Sequence, residues 1–548
     1  MSGEWNYADV WEAIAETIPG STAQVHGARR ITWGELDRRA DGIASTLLDA
    51  GVAQGDKVAA YLFNAPEYLE TFFGACKVGL VPVNTNYRYG SEELAYLWND
   101  SDAVAVAFHG SFTERVGAVR PRVPNVRLWL HVDDGTEACP GWAVPYEEAA
   151  ASSTTRTRAP WGRSGDDLIF LYTGGTTGMP KGVMWRHADM YAHSNSGTPI
   201  DPVEADLDHV RRRATGGDRA RPGVALMPAS PLMHGTGMTM GMAGLRVAGS
   251  VVLLEGRSFD ARECLDVMAR ERVFGVAIVG DAFARPMLDA LRAAPAEWDL
   301  ACVRLMSSAG VMWSEPVKEG LLEFLPNASL SDGFASSEAF GMGGSVSSRK
   351  EGVRSTGQFT LGDDARVIDD DGRDVVAGSG VAGLVAVGGP QPLGYYKDPG
   401  KSAKTFKLID GKRYSIPGDW ATVDADGTLR LLGRGSVCIN TGGEKVFPEE
   451  VEEALKTHVA VRDVIVVGVP DDRFVEAICA VVELDATADG PAPEPAELIA
   501  HVKARLASFK APRHVLLVAS VGRAPNGKAD YPRVRREAAA ALAPVIPD

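Results

Sequence analysis

Apolar residues follow two textures along the chain. From 30 to 110, helical spacing over 32–50 and 67–78 predicts two helices, with Thr32 as a cap before Gly34 and Glu35. Short apolar runs at 57–63 and 81–84 read as strands. The same alternation returns further on. Residues 167–172 (Asp-Leu-Ile-Phe-Leu-Tyr), 223–227, 250–254, 275–279 and 303–306 are buried-type strands, and 260–272 is helical. Strands alternating with helices predict layered α/β sheets with largely parallel pairing. The polar stretch 198–221, with three consecutive arginines, reads as a long surface loop.

After about residue 350 the texture changes. Short strands at 365–368, 383–387, 420–424 and 428–433 are separated by Asp-Gly and Gly-Gly turns, and Asp426-Gly427 is a hairpin signal. This predicts a β-rich subdomain. Beyond residue 433 the pattern is mixed: helices at 448–457 and 495–508, strands at 464–469 and 477–482. The expected organisation is a large α/β N-terminal domain, 1–433, a hinge at 434–436, and a small mobile α+β C-terminal domain, 437–548. The Ala-rich tail from Arg536 is expected to fray. No internal repeat is present.

Composition narrows the function. The 548 residues are 45% hydrophobic and 23% charged, the balance of a globular protein with a sizeable core. A net charge of −16 argues against nucleic acid as a partner, because phosphate neutralisation needs net Lys and Arg. The six cysteines include no Cys-x-x-Cys pair, which fits a reduced cytoplasmic protein rather than a disulfide scaffold or zinc site. Neither a signal peptide nor a transmembrane run is legible.

The strongest local signal is Tyr172-Thr-Gly-Gly-Thr-Thr-Gly-Met-Pro-Lys-Gly182, after a predicted strand and before a helix-compatible stretch at 185–194. Glycines let backbone N–H groups turn toward an anion, threonines add donors, and Lys181 adds charge. It is not a Walker loop. Counting from Gly175, Pro180 stands where the second glycine is needed and Gly182 where Ser or Thr is needed. A literal Gly-x-Gly-x-x-Gly at 378–383 precedes an extended run rather than a helix, so it reads as turns.

At the 172–182 loop the sequence resembles the adenylate-forming superfamily: acyl-CoA synthetases, firefly-luciferase-like enzymes and peptide-synthetase adenylation domains. The resemblance continues in order. Pro231-Leu-Met-His-Gly-Thr-Gly237 is similar to the family's acyl-pocket motif, and Ser307-Ser-Ala-Gly-Val311 to its adenine segment. Asp332-Gly-Phe-Ala-Ser-Ser-Glu338 resembles the aromatic-Gly-x-Thr-Glu motif. Gly394-Tyr-Tyr396, Gly418-Asp419, Gly433-Arg434, Gly442-Gly443, Pro448-Glu-Glu-Val-Glu452 and Asn526-Gly-Lys528 follow.

The resemblance implies two half-reactions. A carboxylate attacks the α-phosphate of ATP, giving an acyl-adenylate and pyrophosphate; a thiol, expected to be coenzyme A, then displaces AMP. It implies roles for residues of this chain. Thr173, Gly174, Gly175, Thr176, Thr177 and Lys181 would hold phosphates, and Glu338 would coordinate Mg²⁺. Ser308, Ala309, Gly310, Asp332, Gly333, Phe334 and Ser337 would line the nucleotide. Asp419 would take the ribose hydroxyls with Arg434, and Lys528 would stabilise the transition state. His234 is implied as a gate rather than a general base. Gly442, Gly443, Glu444 and Lys445 would serve the second step. Departures from the family pattern are Ser436 at the hinge, Asn440 before the glycine pair, and Pro417 before Gly418.

The acyl pocket is expected along 234–242, 279–284 and 307–310, with Met238, Met240, Met242 and Phe283; Asp281 is the nearest acid. Nothing there fixes an amino group, so an apolar carboxylic acid is favoured. Met184-Trp-Arg-His187, Gly280-Asp-Ala282 and Gly442-Gly-Glu-Lys445 resemble bacterial fatty-acid and steroid-side-chain CoA ligases. The rivals are a stand-alone acyl-AMP ligase loading a carrier protein, a luciferase-type oxygenase, and a non-catalytic nucleotide-binding scaffold. A homodimer is left open.

Overall fold

The computed structural model describes residues 5–173, 179–195, 207–216, 223–311, 313–441, 444–471, 475–486, 488, 491–524 and 527–542. Two large sheets form the N-terminal part, and a smaller one follows. The eight-stranded sheet includes Lys57–Tyr61, Val81–Asn84, Ala103–His109 and Leu168–Thr173, with Lys181–Arg186 and Gly394–Tyr395 at one edge. The fifteen-stranded sheet has a parallel half, Thr22–His26, Ser250–Leu253, Ala225–Pro228, Gly275–Ile278, Leu305–Ala309 and Ser329–Ser336. It continues without a break into antiparallel strands, among them Ala339–Ser347, Thr428–Arg434 and Asp419–Val423. The β-rich region is thus hydrogen-bonded to the α/β core.

Helices cover these sheets for reasons legible in their residues. The helix Trp33–Asp49 starts where the Thr32 side chain accepts from the Glu35 N–H. It buries Leu36, Ala40, Ile43 and Leu47, one apolar stripe at spacings of three to four, in the same core as the helix Pro66–Lys77. A five-stranded sheet follows Arg434 after the single 3₁₀ turn Gly435–Val437. The helices Pro448–Lys456, Pro495–Lys503 and Tyr531–Leu542 accompany it.

Three expectations need correction. Within 198–221, the described residues contain a helix, Leu207–Ala214, because Val210, Arg213 and Ala214 fall on one face and bury there. The segment from Arg536 does not fray in its described part: the helix Tyr531–Leu542 packs Val534 and Ala538 against the C-terminal sheet. The Gly-rich loop leads into a strand, not a helix. Leu168–Thr173 and Lys181–Arg186 pair antiparallel with Thr173 opposite Lys181, and the helix starts only at His187. Trp185 is buried in that strand, which uses its apolar residues at alternating positions rather than as a helical stripe.

Candidate active site

The Gly-rich hairpin, expected to hold phosphates, is anchored from behind by an asparagine. Asn84 Nδ2 donates to the Tyr172 carbonyl at 2.9 Å and the Met233 carbonyl at 2.7 Å, and its Oδ1 accepts from the Tyr172 N–H at 2.6 Å. One buried side chain thereby fixes the hairpin relative to the loop preceding His234. Asn64 fixes that loop a second time, accepting from the Leu232 N–H at 2.7 Å and donating to the Pro228 and Ser230 carbonyls. Neither asparagine stands out in sequence, because each works through backbone groups brought together only by the fold. Lys181 leaves the hairpin beside Asp398 and pairs with it. Gly174, Gly175, Thr176 and Thr177, expected to hold phosphates, lie outside the described residues.

The segments expected to line a nucleotide meet at the ends of neighbouring parallel strands. Ser308 faces Asp332 and Ala309 faces Gly333 in register. The ends of parallel strands are where α/β sheets bind ligands. The Ser308 hydroxyl accepts from the Gly280 N–H at 2.8 Å, tying this edge to the helix Gly280–Ala293. Gly310 follows at φ +88° beside open space. Asp332 is buried, and burial pushes its carboxyl up to about 7 against the opposing charge of Lys318. Phe334 stacks on Phe359 with ring centroids 5.4 Å apart.

Ser337 and Glu338 form the turn between Ser329–Ser336 and Ala339–Ser347. The Ser337 carbonyl accepts from Trp185 Nε1, and the Glu338 carbonyl accepts from the Ser415 hydroxyl. The Tyr395 hydroxyl donates to Glu338 Oε1 at 2.8 Å. The carboxylate is thus oriented by a tyrosine of the Gly394-Tyr-Tyr396 motif, to which the sequence assigned no role.

Asp419 and Arg434 are register partners on adjacent strands, and Arg434 Nε donates to Asp419 Oδ1 at 3.1 Å. The other oxygen, Asp419 Oδ2, is buried without a hydrogen-bond partner among the described residues. Burial pushes this carboxyl up, opposed by Arg434, and Asp419 in turn raises the guanidinium. A buried acceptor left open is costly unless a ligand donates to it. A vicinal diol would do so.

Lys528 reaches this cleft from the C-terminal sheet. Its turn is closed by the Ala524 N–H donating to the Lys528 carbonyl at 2.9 Å. Gly527, at φ +75°, lets the turn sit on the helix start at 279–282, where an added Cβ would lie 2.9 Å from Ala282 Cβ. The Lys528 side chain is exposed, yet reduced hydration beside the surrounding protein and then Arg434 lower its affinity for its proton, and Glu338 opposes them. His234 immediately precedes the helix Gly235–Arg246. Burial, with Lys528 and Arg88 nearby, holds its pKa down at about 3, so the imidazole is neutral. A base that weak suits a gate better than proton abstraction at neutral pH.

The expected acyl-pocket side chains are placed otherwise. Met238 and Met242 pack in the core with Trp11 and Tyr191, Met240 packs with Leu226 and Ala277, and Phe283 lies 4.3 Å from Phe259. Their apolar character serves the core that carries the site. The Asp281 carboxylate accepts from the Ser314 N–H at 2.9 Å, so it is a local cap. Gly442 and Gly443 lie outside the described residues; Glu444 and Lys445 open the strand Glu444–Val446, and only their backbone is described, as for Ser436.

The family model for AMP-binding enzymes matches residues 11–396, and that for the AMP-binding enzyme C-terminal domain matches 450–528. A Mycolicibacterium smegmatis medium/long-chain-fatty-acid–CoA/3-oxocholest-4-en-26-oate–CoA ligase is 40% identical over 535 residues, covering 96% of this chain and 95% of the relative. A Rhodococcus rhodochrous 3-oxocholest-4-en-26-oate–CoA ligase is 39% identical, with 96% and 94% covered. Among solved structures, ATP-bound MatB from Rhodopseudomonas palustris superposes with a TM-score of 0.80 at 25% identity, covering 98% of this chain and all of that one.

Proposed function

The chain belongs to the AMP-binding enzyme family, and from that premise we propose that it is an ATP-dependent acid–thiol ligase that converts an apolar carboxylic acid to its coenzyme A thioester. The acid class follows from its relatives, which are named for medium- and long-chain fatty acids and for a steroid side-chain acid. Both co-substrates are abundant in the cytoplasm, where we place the reaction.

In the first half-reaction a substrate carboxylate oxygen bonds to the α-phosphorus of ATP. The bond from that phosphorus to the bridging oxygen breaks, and pyrophosphate leaves. Two anions must approach, so the step needs fixed positive charge. Lys528 supplies it between carboxylate and α-phosphate, and Lys181 supplies it at the tail. Asp419 accepts from the ribose hydroxyls beside Arg434, and Asp332 accepts from the adenine amino group.

The donor set fits Mg²⁺. Among the described residues no group of three or more His, Cys, Asp or Glu could cage a metal ion. Mg²⁺ bound with nucleotides takes one or two carboxylates and completes its shell with phosphates and water. Glu338, oriented by Tyr395, would be that carboxylate, and the ion would neutralise phosphate charge.

In the second half-reaction the thiol sulfur bonds to the acyl carbon, the carbon–oxygen bond to AMP breaks, and the thiol proton passes to solvent. A neutral His234 at the acyl side would gate this approach. We assign the 3₁₀ turn after Arg434 as the pivot about which residues 437–548 exchange Lys528 for Gly442 and Gly443.

The observation that carries this reading is the seating of the Lys528 turn within electrostatic reach of Glu338, Arg434 and His234. It is tested by pyrophosphate release across a panel of carboxylic acids, with and without coenzyme A. Acid-dependent release and acyl-CoA formation from apolar acids are expected. Turnover only with a phosphopantetheinyl carrier protein would favour the carrier-loading ligase, and no acid-dependent release would refute adenylation.

A further inference from the structure

One cation beside the Gly-rich hairpin, Lys401, is in no ion pair among the described residues. The short strand Gly394–Tyr395 pairs antiparallel with Lys181–Arg186, with Tyr395 opposite Val183. The helix Pro399–Thr405 is locked onto that strand: the Ser402 hydroxyl accepts from the Tyr395 N–H at 2.8 Å and donates to the Asp398 carbonyl at 2.7 Å. Lys401 is therefore held where Lys181 leaves the hairpin. Its ammonium lies 4.2 Å from the centroid of the Tyr395 ring, whose hydroxyl binds Glu338.

Three cations converge here. Lys181 is paired with Asp398, and Arg434 with Asp419. Lys401 makes no ion pair among the described residues. Burial lowers its proton affinity, Lys181 and Arg434 lower it further, and Glu338 and Asp398 only partly compensate. A lysine resting on an aromatic face at an exposed site gains only a modest stabilisation. That gain does not require the residue to be half-buried among other cations, an arrangement that costs free energy until an anion arrives.

We propose that Lys401 is a third cationic contact for the β- and γ-phosphates of ATP and for the pyrophosphate they become, acting when Lys181 exchanges Asp398 for phosphate. The inference rests on the adenylation reading and deepens it. It names a residue outside every motif recognised in the sequence. No bond changes at Lys401 itself; it binds the leaving group.

Calorimetric titration with ATP, pyrophosphate and AMP, in Mg²⁺, separates the possibilities. Lys401→Gln should weaken ATP and pyrophosphate binding about tenfold, the size expected for one charge contact near a protein surface. AMP, which lacks the β- and γ-phosphates, should bind as to the unaltered protein, and Lys401→Arg should restore the other two. Unchanged affinity for all three ligands, or equal loss for all three, would overturn the assignment. If the unaltered protein bound neither ATP nor AMP, the adenylation reading would fall, and this inference with it.

Discussion

Glu449→Gln should stabilise the protein, increasingly so as pH rises. Glu449 opens the helix Pro448–Lys456 at the junction of the two parts, where a Cβ on Gly433 would run into its carboxylate. Its Oε2 is buried with no hydrogen-bond partner among the described residues. Burial, and then the neighbouring Glu452, push this carboxyl up to about 8 from 4.5. The sign follows from linkage. Below 4.5 the residue is protonated whether the junction is closed or open, and costs nothing. As pH rises from there toward 8, the opened state loses its proton while the closed state keeps it, so stability falls. At about 1.4 kcal/mol per pH unit, the penalty grows from about 1 kcal/mol at pH 5 to about 3 at pH 7 and about 4 at pH 8. These are upper limits, because water reaches part of the side chain. Glutamine keeps the shape and cannot ionise. Melting curves of both proteins at pH 5, 6, 7 and 8 should show the variant's advantage widening with pH. An advantage independent of pH, or one that shrinks, would refute the reasoning.

Asp419→Asn should weaken AMP and ATP binding alike, about ten- to a hundredfold, because an ionised acceptor for the ribose diol is replaced by a neutral one beside Arg434; equilibrium titration checks this, and unchanged affinity would remove Asp419 from the ribose site. Glu338→Gln should raise the Mg²⁺ concentration needed for pyrophosphate release while leaving AMP affinity unchanged, since a neutral amide is a poorer ligand for a hard cation; an unaltered Mg²⁺ dependence would dismiss Glu338 as the ligand.

The layered α/β core was legible from periodicity because its strands are short, apolar and buried on both faces, as at 250–253 and 275–278. The Gly-rich hairpin was misjudged only at Trp185 and Arg186, expected to open a helix; pairing with Leu168–Thr173 places them in a strand and the helix begins at His187. The helix Leu207–Ala214 was hidden by its arginines, one of which, Arg213, is buried and donates to the Arg246 carbonyl. At the site, Glu338, Asp332 and Asp419 stood in recognisable motifs. Asn64 and Asn84 did not, because their partners lie 168 and 149 residues away along the chain; Asp398 carries a local cap pattern before Pro399, but its pairing with Lys181, 217 residues away, is set only by the fold. The methionines of the Gly235–Arg246 helix misled because an apolar residue near a site reads the same whether it lines a pocket or fills a core.

In the proposed cycle, one lysine from the C-terminal part serves only the first of two half-reactions. Lys528→Ala separates them when acid-dependent ATP–pyrophosphate exchange and thioester formation from supplied acyl-AMP and coenzyme A are measured on the same preparation. Exchange should fall by about two or more orders of magnitude, the loss of one preorganised charge at the transition state, while thioester formation from acyl-AMP stays close to that of the unaltered enzyme. Equal loss in both assays, or exchange that survives the substitution, would contradict that cycle.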